Sequence, residues 1–216
     1  MQTHRCVIVA GAPIGRYDVI RSLLRPDDFV VCCDCGLRHL EALGVTPSLV
    51  VGDFDSTENP HLDVETIVLP REKDDTDSVY AVREAVRRGF DDFLLVGAVG
   101  GRLDHTLGNV AILLYLDRIG KRGVIADDES VMEVVSRDPA RIPYGSCAYF
   151  SLLNVDGSAR GITIRNAKYP LENGVIPVDY QYGISNEVLP GKTAEVTVRE
   201  GRVLLVRVRE EMPLKS

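Results

Sequence analysis

Two aspartates, Asp53 and Asp55, lie one residue apart directly after an apolar run that ends at Gly52. In an extended backbone alternate side chains point to the same face, so the two carboxylates are expected to project together. Like charges at that distance repel each other unless a cation lies between them or one carboxyl group takes up a proton. The pair therefore predicts either a bound cation or a protonated carboxyl group.

A second acidic segment, residues 71–78, reads REKDDTDS. Thr76 or Asp75 can cap the helix that the next residues predict, and Asp77 would favour its first turn. Capping explains one acidic side chain, but it does not explain five charges within the six residues that begin at Glu72. This segment is therefore expected to have a chemical role as well as a structural one.

A third segment, residues 100–109, reads GGRLDHTLGN and has the composition of a phosphate site. Glycine permits a close approach of the backbone, and the N-terminus of a helix attracts anions. Arg102 can bind two phosphate oxygens at once, and Lys73 would supply a further positive charge. His105 is a candidate general base, with an orienting or packing role as the alternative.

Carboxylates gathered beside a phosphate site indicate magnesium. Mg²⁺ prefers hard oxygen ligands, and it usually takes one or two protein carboxylates together with water and substrate phosphates. Asp53, Asp55 and Asp77 are the candidate ligands, and the metal would relieve the repulsion between the first two. Phosphoryl transfer needs positioning and charge neutralisation more than covalent chemistry, so this apparatus fits it.

Alternating strands and helices are expected to hold these segments in place. Apolar runs predict buried strands at residues 6–10, 29–33, 49–51, 67–69, 93–96 and 123–126. Residues 77–88 and 104–119 have the apolar spacing of amphipathic helices, which would share one face among Val79, Val82 and Val86 and another among Leu107, Val110 and Leu114. The alternation predicts a mostly parallel sheet, with ligands bound beyond the carboxyl ends of its strands.

The pattern changes after about residue 138. The segments become short and β-rich, they are separated by Gly, Pro and Asn turns, and no amphipathic helix intervenes. These features predict a small antiparallel sandwich or barrel. Two prolines interrupt the pattern within residues 136–145, which predicts one domain at 1–137 and a second at 138–216.

Composition argues against several classes of protein. The 216 residues are 45% hydrophobic and 26% charged, as in ordinary globular proteins, and the net charge of −7 disfavours a nucleic-acid binder. No apolar run is long enough to span a membrane, and the N-terminal run is too short for a secretory signal, so a cytoplasmic protein with reduced thiols is expected. Cys32 and Cys33 are expected in the core, because a zinc site would need a second ligand cluster. His4, His39 and His61 are expected on the surface or in loops.

Four motifs in order, GDFDS, KDDTD, GGRLDHTLGN and YGISNE, resemble those of the thiamine pyrophosphokinase family across nearly the whole chain. That family joins an α/β catalytic domain to a small β-sandwich and works as a homodimer. It moves the pyrophosphoryl group of ATP onto the hydroxyethyl oxygen of thiamine and releases AMP. The resemblance therefore implies a Rossmann-like α/β domain for ATP and Mg²⁺, a β-sandwich for thiamine, and a thiamine site at the subunit interface.

The resemblance also implies roles for individual residues. The catalytic set would comprise Asp53, Asp55, Asp77, Arg102 and Asp104, of which the first three would hold Mg²⁺. The nucleotide would be contacted by Asp34, Gly36, Lys73, Thr76 and Arg102. Thiamine would be contacted by Asp104, Ser185 and Asn186.

This chain departs from the family pattern in two respects. Cys35 follows Asp34 where many members have a second glycine, which bears on how closely the backbone approaches the nucleotide. The chain has no tryptophan, so an aromatic side chain stacked on thiamine would be a tyrosine or phenylalanine, with Tyr180 and Tyr182 as candidates.

Other functions fit part of the sequence. DFDST at 53–57 matches the aspartyl-nucleophile motif of haloacid dehalogenase-type phosphatases, with Asp53 as nucleophile, Lys121 as the lysine and Asp127 with Asp128 as the acidic pair. That motif normally follows the first strand, whereas here two predicted strands come before the strand that it follows. The remaining alternatives are a pyrophosphokinase for another alcohol, such as a hydroxymethyl pterin, and a non-catalytic vitamin or nucleotide sensor.

Overall fold

The computed structural model describes residues 5–54, 63–70, 72, 74–157 and 159–209, and the chain divides into compact units at 1–128 and 129–216. The first unit alternates strands with helices. Its strands are β1 (Arg5–Val9), β2 (Phe29–Cys33), β3 (Leu49–Gly52), β4 (Glu65–Val68), β5 (Asp92–Val96) and β6 (Arg122–Ala126). Its helices are α1 (Tyr17–Arg21), a 3-10 helix (Asp34–His39), α2 (Leu40–Leu43), α3 (Asp77–Arg87) and α4 (Leu103–Arg118).

The six strands of the first unit form a parallel sheet in the order β4-β3-β2-β1-β5-β6. The order runs outward from β1 to β4 on one side and from β5 to β6 on the other, so its direction reverses between β1 and β5. At such a reversal the loops that follow the two strands lead to opposite faces of the sheet. A crevice therefore remains at the carboxyl ends of these strands. The predicted Rossmann-like α/β fold is confirmed.

The central strands are buried because each reads as a continuous apolar run, which is typical of a sheet that is covered on both faces. Residues 6–9 of β1 are fully buried, and Cys32 and Cys33 in β2 fill core positions as predicted. Edge strand β4 is only partly buried, and it begins two residues earlier than the predicted strand at 67–69. None of the five cysteines, all of which are described, forms a disulfide.

The predicted helices are present, but the buried face of α4 differs from the prediction. Leu107 is 61% exposed, whereas Asn109, Ile112 and Leu113 are buried. The apolar spacing had assigned Leu107 to the core, and the prediction was wrong there because a polar residue, Asn109, takes a buried position on this helix. In the described part of the chain no helix is long and apolar enough to cross a membrane.

The second unit contains only strands among its described residues. They are β7 (Ser130–Val135), β8 (Ala140–Pro143), β9 (Tyr149–Leu153), β10 (Ala159–Arg165), β11 (Leu171–Ile176), β12 (Thr193–Thr197) and β13 (Val203–Val208). Within this unit β13 pairs with β7 and β9, and a separate sheet has the order β11-β10-β12-β8. The strand pairs of both sheets are antiparallel.

One hydrophobic core joins the two sheets of the second unit. Phe150 and Leu152 of β9 and Leu205 of β13 share this core with Ile162 of β10 and Val196 of β12. Two antiparallel sheets that bury a common apolar face make a β-sandwich. The unit begins at residue 129, so β7 belongs to it, although the prolines in the sequence placed the boundary at 137/138.

Candidate active site

A cavity of about 450 Å³ opens in the first unit where the sheet order reverses. Its wall consists of residues 10–13 after β1, Cys33, Cys35 and Arg38 at and after β2, residues 76–78 at the start of α3, residues 97, 98 and 100–102 after β5, and His105 and Asn109 of α4. Of the described residues that the sequence singled out as site candidates, Thr76, Asp77, Arg102 and His105 line it. The cavity therefore brings together residues from two of the three polar segments.

Two glycines allow the backbone segments around the cavity to approach each other closely. Gly97 has a φ of 60°, and a Cβ placed on it would lie 2.4 Å from the carbonyl oxygen of Ala10. Gly36 lies beneath the end of β1, where an added Cβ would lie 2.2 Å from the carbonyl oxygen of Val9. Gly36, a predicted nucleotide residue, thus packs the 3-10 helix against β1.

The backbone after β3 does not stay extended. Phe54 has a φ of 52°, which lies in the left-handed region and not in the extended region that the sequence analysis assumed there. The shared face of Asp53 and Asp55 stays a prediction. Asp55 itself lies outside the described residues, as does Lys73.

Asp34 is buried at the start of the 3-10 helix, with 2% of its surface exposed. It lies against the end of β3, since a Cβ added to Gly52 would approach the Asp34 Cβ to 2.4 Å. Asp53 follows Gly52 directly at this edge. Neither Asp34 nor Asp53 belongs to the described wall of the cavity.

Thr76 caps α3. Its side-chain oxygen accepts a hydrogen bond from the backbone N–H of Val79 at 3.4 Å, as predicted for Thr76 or Asp75. Asp77 begins the helix and is half-buried on the cavity wall beside Cys33. Burial is the main cause that raises the pKa of the Cys33 thiol well above its usual value, and Cys32 and Asp77 raise it further. Cys33 therefore stays a neutral thiol next to the Asp77 carboxylate.

Arg102 and Asp104 form an ion pair with each other at the start of α4. Arg102 donates from Nε to Asp104 Oδ1 at 3.1 Å and from Nη2 to Oδ2 at 2.6 Å. The hydrogen bond from Arg102 is the main cause that lowers the pKa of Asp104 to about 2, and the backbone N–H of His105 adds to it. The side chains of Arg102 and Asp104 are 70% and 65% exposed, so solvent screens the ion pair. Each side chain can therefore exchange its partner for another one at little cost.

The described residues contain no group of three or more His, Cys, Asp or Glu side chains arranged to hold a metal ion. The predicted magnesium set includes Asp55, which lies outside the described ranges. The two described members nevertheless have suitable chemistry, because Asp77 presents a carboxylate to the cavity and Asp53 follows a strand at the same sheet edge.

Sequence reasoning missed two polar residues of the cavity wall. Asn109 is buried, and its Nδ2 donates to the Ala98 carbonyl at 2.8 Å, which fastens the segment after β5 to α4. Arg38 donates to the Gly11 carbonyl across the cavity wall. The residue spacing in the sequence predicted neither role. Asn109 is a polar residue on an otherwise apolar helix face, and the position of Arg38 depends on the 3-10 helix, which the sequence analysis did not predict.

His39 was predicted on the surface or in a loop, and that was wrong. It is 3% exposed, because the 3-10 helix turns it under the segment after β1. Its Nε2 donates to the Ala12 carbonyl at 3.0 Å, so Nδ1 of the neutral ring accepts from the Tyr17 hydroxyl at 2.7 Å. Burial and the Arg38 charge lower the pKa of His39, which favours this neutral form. His4 and His61 lie outside the described residues.

In the second unit, Ser185 is exposed at a tight turn with a φ of 56°. Its backbone N–H donates to Ser151 Oγ at 3.0 Å. Asn186 next to it is buried, and its amide bonds the backbone of Tyr169 on both sides and the N–H of Glu187. Asn186 thus fixes the turn, and Ser185 presents its side chain from it.

Tyr180 and Tyr182 lie close to this turn in sequence and contact each other. Their ring centroids are 5.7 Å apart with a tilt of 41°, and both are exposed. The Tyr182 hydroxyl donates to the Val175 carbonyl at 2.5 Å, which anchors one ring of the pair. The two tyrosines therefore form an exposed pair, and stacking of either ring on thiamine stays a prediction.

Two features of the structure disagree with the phosphatase alternative. The DFDST motif follows β3, the third strand, rather than the first. Asp128, which that alternative would use in catalysis, accepts hydrogen bonds from the backbone N–H groups of Gly15 and Arg16. Its carboxylate is therefore committed to the backbone.

This chain is similar to known proteins both in sequence and in fold. A thiamine pyrophosphokinase from Bacillus subtilis (strain 168) is 26% identical over 207 residues, which are 93% of this chain and 96% of that protein. The crystal structure of thiamin pyrophosphokinase from Geobacillus thermodenitrificans matches with a TM-score of 0.83 at 28% identity, over 97% of this chain and 100% of that one. The Bacillus subtilis crystal structure, at 24% identity, shares the fold with a TM-score of 0.84 over 95% and 99% of the two chains.

The match extends to both halves of the chain. The family model for the catalytic domain of thiamin pyrophosphokinase matches residues 20–124, and the model for its vitamin B1 binding domain matches residues 139–203. The two models occur in the same order as the α/β unit and the β-sandwich. The chain therefore belongs to the thiamine pyrophosphokinase family.

Proposed function

We propose that this protein transfers the pyrophosphoryl group of ATP to the hydroxyethyl oxygen of thiamine, giving thiamine diphosphate and AMP. The observation that carries the proposal is the cavity at the reversal of the sheet order, where Thr76, Asp77 and Arg102 meet. Ligands bind at such a reversal in open parallel sheets. A carboxylate and a guanidinium in one wall suit a phosphate chain with a counter-ion.

The reaction follows from the products. The thiamine hydroxyl oxygen forms a bond to the β-phosphorus of ATP, the bond from that phosphorus to the α,β-bridging oxygen breaks, and AMP leaves with the bridging oxygen. The hydroxyl proton is released. Catalysis then depends on alignment and on neutralising the charge of the phosphates.

Arg102 is proposed to exchange partners during binding. In the structure it is paired with Asp104 on the surface. Because both side chains are exposed, a phosphate group can replace Asp104 as the bidentate partner at little cost. Asp104 then becomes available for an amine or ring nitrogen of thiamine, which is the role that the family resemblance implies for it.

Mg²⁺ is proposed as the counter-ion. Asp53, Asp55 and Asp77 would hold it, and its contribution when bound would be to neutralise the charge of the transferred phosphates. The donor chemistry fits at the described members of this set, since Asp77 faces the cavity and Asp53 follows β3 at the same edge.

The two units are proposed to divide the substrates. The α/β unit (1–128) would bind ATP with Lys73, Thr76 and Arg102, and the β-sandwich unit (129–216) would bind thiamine through Ser185. Asn186 supports this by holding the turn that presents Ser185. We further propose a homodimer in which thiamine lies at the subunit interface.

The test is direct. Purified protein is incubated with ATP, Mg²⁺ and thiamine, and AMP and thiamine diphosphate are quantified by chromatography. Equal amounts of the two products, with none when thiamine is omitted, are expected. Release of inorganic phosphate without AMP would favour a phosphatase, turnover only with a hydroxymethyl pterin would change the acceptor, and binding without turnover would indicate a sensor.

A further inference from the structure

Asp128, which follows β6, bonds the segment after β1. This segment, residues 10–16, is called the β1 loop here. Asp128 Oδ2 accepts from the backbone N–H of Gly15 at 2.7 Å, and Oδ1 accepts from the N–H of Arg16 at 3.1 Å. Hydrogen bonds to a carboxylate are roughly twice as strong as neutral ones, and here both oxygens are used.

The β1 loop forms part of the cavity wall through residues 10–13. This first half is bonded to its neighbours, since Ala10 N–H donates to the Val96 carbonyl at 2.9 Å and Ala12 N–H to the Gly97 carbonyl at 2.7 Å. The second half has Asp128 as acceptor for two successive N–H groups. Asp128 therefore fixes the end of the loop that the sheet edge does not hold.

The same contact argues against a phosphate site in the loop itself. A glycine-containing segment ahead of a helix is a common anion site, but α1 has only five residues. The N–H groups of Gly15 and Arg16 are already bonded to a carboxylate, and a phosphate placed there would meet its negative charge. The β1 loop thus contributes shape to the cavity, while positive charge comes from elsewhere in the wall.

We propose that Asp128 is a positioning residue for the nucleotide: it fixes the β1 loop in the conformation that gives the cavity its shape, without touching the substrate. The inference rests on the proposed function, in which this cavity receives ATP. It assigns a role to a carboxylate outside the four family motifs.

Asp128→Asn tests the proposal. The amide keeps one acceptor oxygen but turns a donor toward the second N–H, so one charged hydrogen bond is lost. We expect KM for ATP to rise roughly tenfold, the scale of one such bond, with KM for thiamine unchanged and kcat at saturating ATP close to that of the wild type. Asp128→Glu, which keeps both acceptors, should recover part of the affinity. Glu129→Gln is the matched control, because it removes the same charge from the adjacent exposed residue.

Hydrogen exchange provides a readout independent of turnover. Amides 15 and 16 should exchange faster in Asp128→Asn than in the wild type and in Glu129→Gln. Faster exchange with an unchanged KM for ATP would refute the positioning role, and unchanged exchange would refute the contact itself. A fall in kcat and in melting temperature with no change in KM would mean that Asp128 only stabilises the fold.

The proposed function can fail separately from this inference. If the wild type does not form thiamine diphosphate, the proposed function fails, and the inference is then judged on the Kd of ATP with Mg²⁺ measured by calorimetry. A Kd raised only in Asp128→Asn supports the inference in that case, and equal Kd values in all the variants overturn it.

Discussion

Gly36→Ala should destabilise the first unit, because the new methyl group would lie 2.2 Å from the Val9 carbonyl oxygen and 2.9 Å from its carbon. Both are backbone atoms of a fully buried central strand, which cannot rotate away as a side chain would. The 3-10 helix would have to move outward instead. Overpacking of this kind costs roughly 1–3 kcal/mol, and the upper part of that range is expected against backbone.

The perturbation should also reach the cavity. Cys35 and Arg38 belong to the same 3-10 helix as Gly36 and line the cavity wall, so an outward shift of the helix widens it. KM for ATP should therefore rise together with the loss of stability. For a chain of this size 1 kcal/mol corresponds to roughly 2–4 °C, which predicts a fall in melting temperature of roughly 4–12 °C.

Gly108→Ala is the matched control. A Cβ added at Gly108 meets nothing within 4 Å, and the residue lies inside α4, where alanine is favoured over glycine by about 1 kcal/mol. Thermal unfolding followed by circular dichroism should show the control at or above the wild-type temperature and Gly36→Ala well below it. If Gly36→Ala melts with the wild type, the close packing of the 3-10 helix against β1 is refuted.

Three further predictions concern the chemistry. Asp77→Asn should nearly abolish thiamine diphosphate formation without unfolding the protein, because an amide keeps the shape but loses the anionic ligand, and near-normal kcat at ordinary Mg²⁺ would remove Asp77 from the metal set. Arg102→Lys should lower kcat/KM by an amount that corresponds to a loss of roughly 1–3 kcal/mol of transition-state stabilisation, because lysine keeps the charge but cannot bind two oxygens at once. Equal activity of the variant and the wild type would make Arg102 a distant counter-charge. Homodimers of Asp55→Asn and of Ser185→Trp should each be inactive, whereas refolding them together should restore about a quarter of all sites if thiamine lies between subunits; a mixture that stays inactive would place Ser185 in the site of its own chain.

The strands of the first unit could be predicted from sequence because parallel strands buried on both faces read as uninterrupted apolar runs. The residues that follow these strands could be placed at one edge of the sheet, because the carboxyl ends of parallel strands lie together. Leu107, Asn109 and His39 could not be placed, since periodicity assigns apolar residues to the core and polar ones to the surface, whereas a buried hydrogen bond reverses that for Asn109 and His39. The left-handed backbone at Phe54 could not be predicted, because a φ of 52° is unusual for a bulky residue.

The bond between Gly15 and Asp128 joins residues that are 113 positions apart. In the sheet, β1 also lies between β2 and β5, so its second neighbour, which starts at Asp92, is made long after β1 itself. A chain emerging from the ribosome therefore cannot form this bond to the β1 loop until residue 128 has left the exit tunnel. Closing such long loops is slow, because the chain loses conformational entropy before the long-range contacts that compensate for this loss can form. ATP bound in the cavity, as proposed above, would therefore stabilise the fold only late in synthesis, when the β-sandwich has already begun to follow.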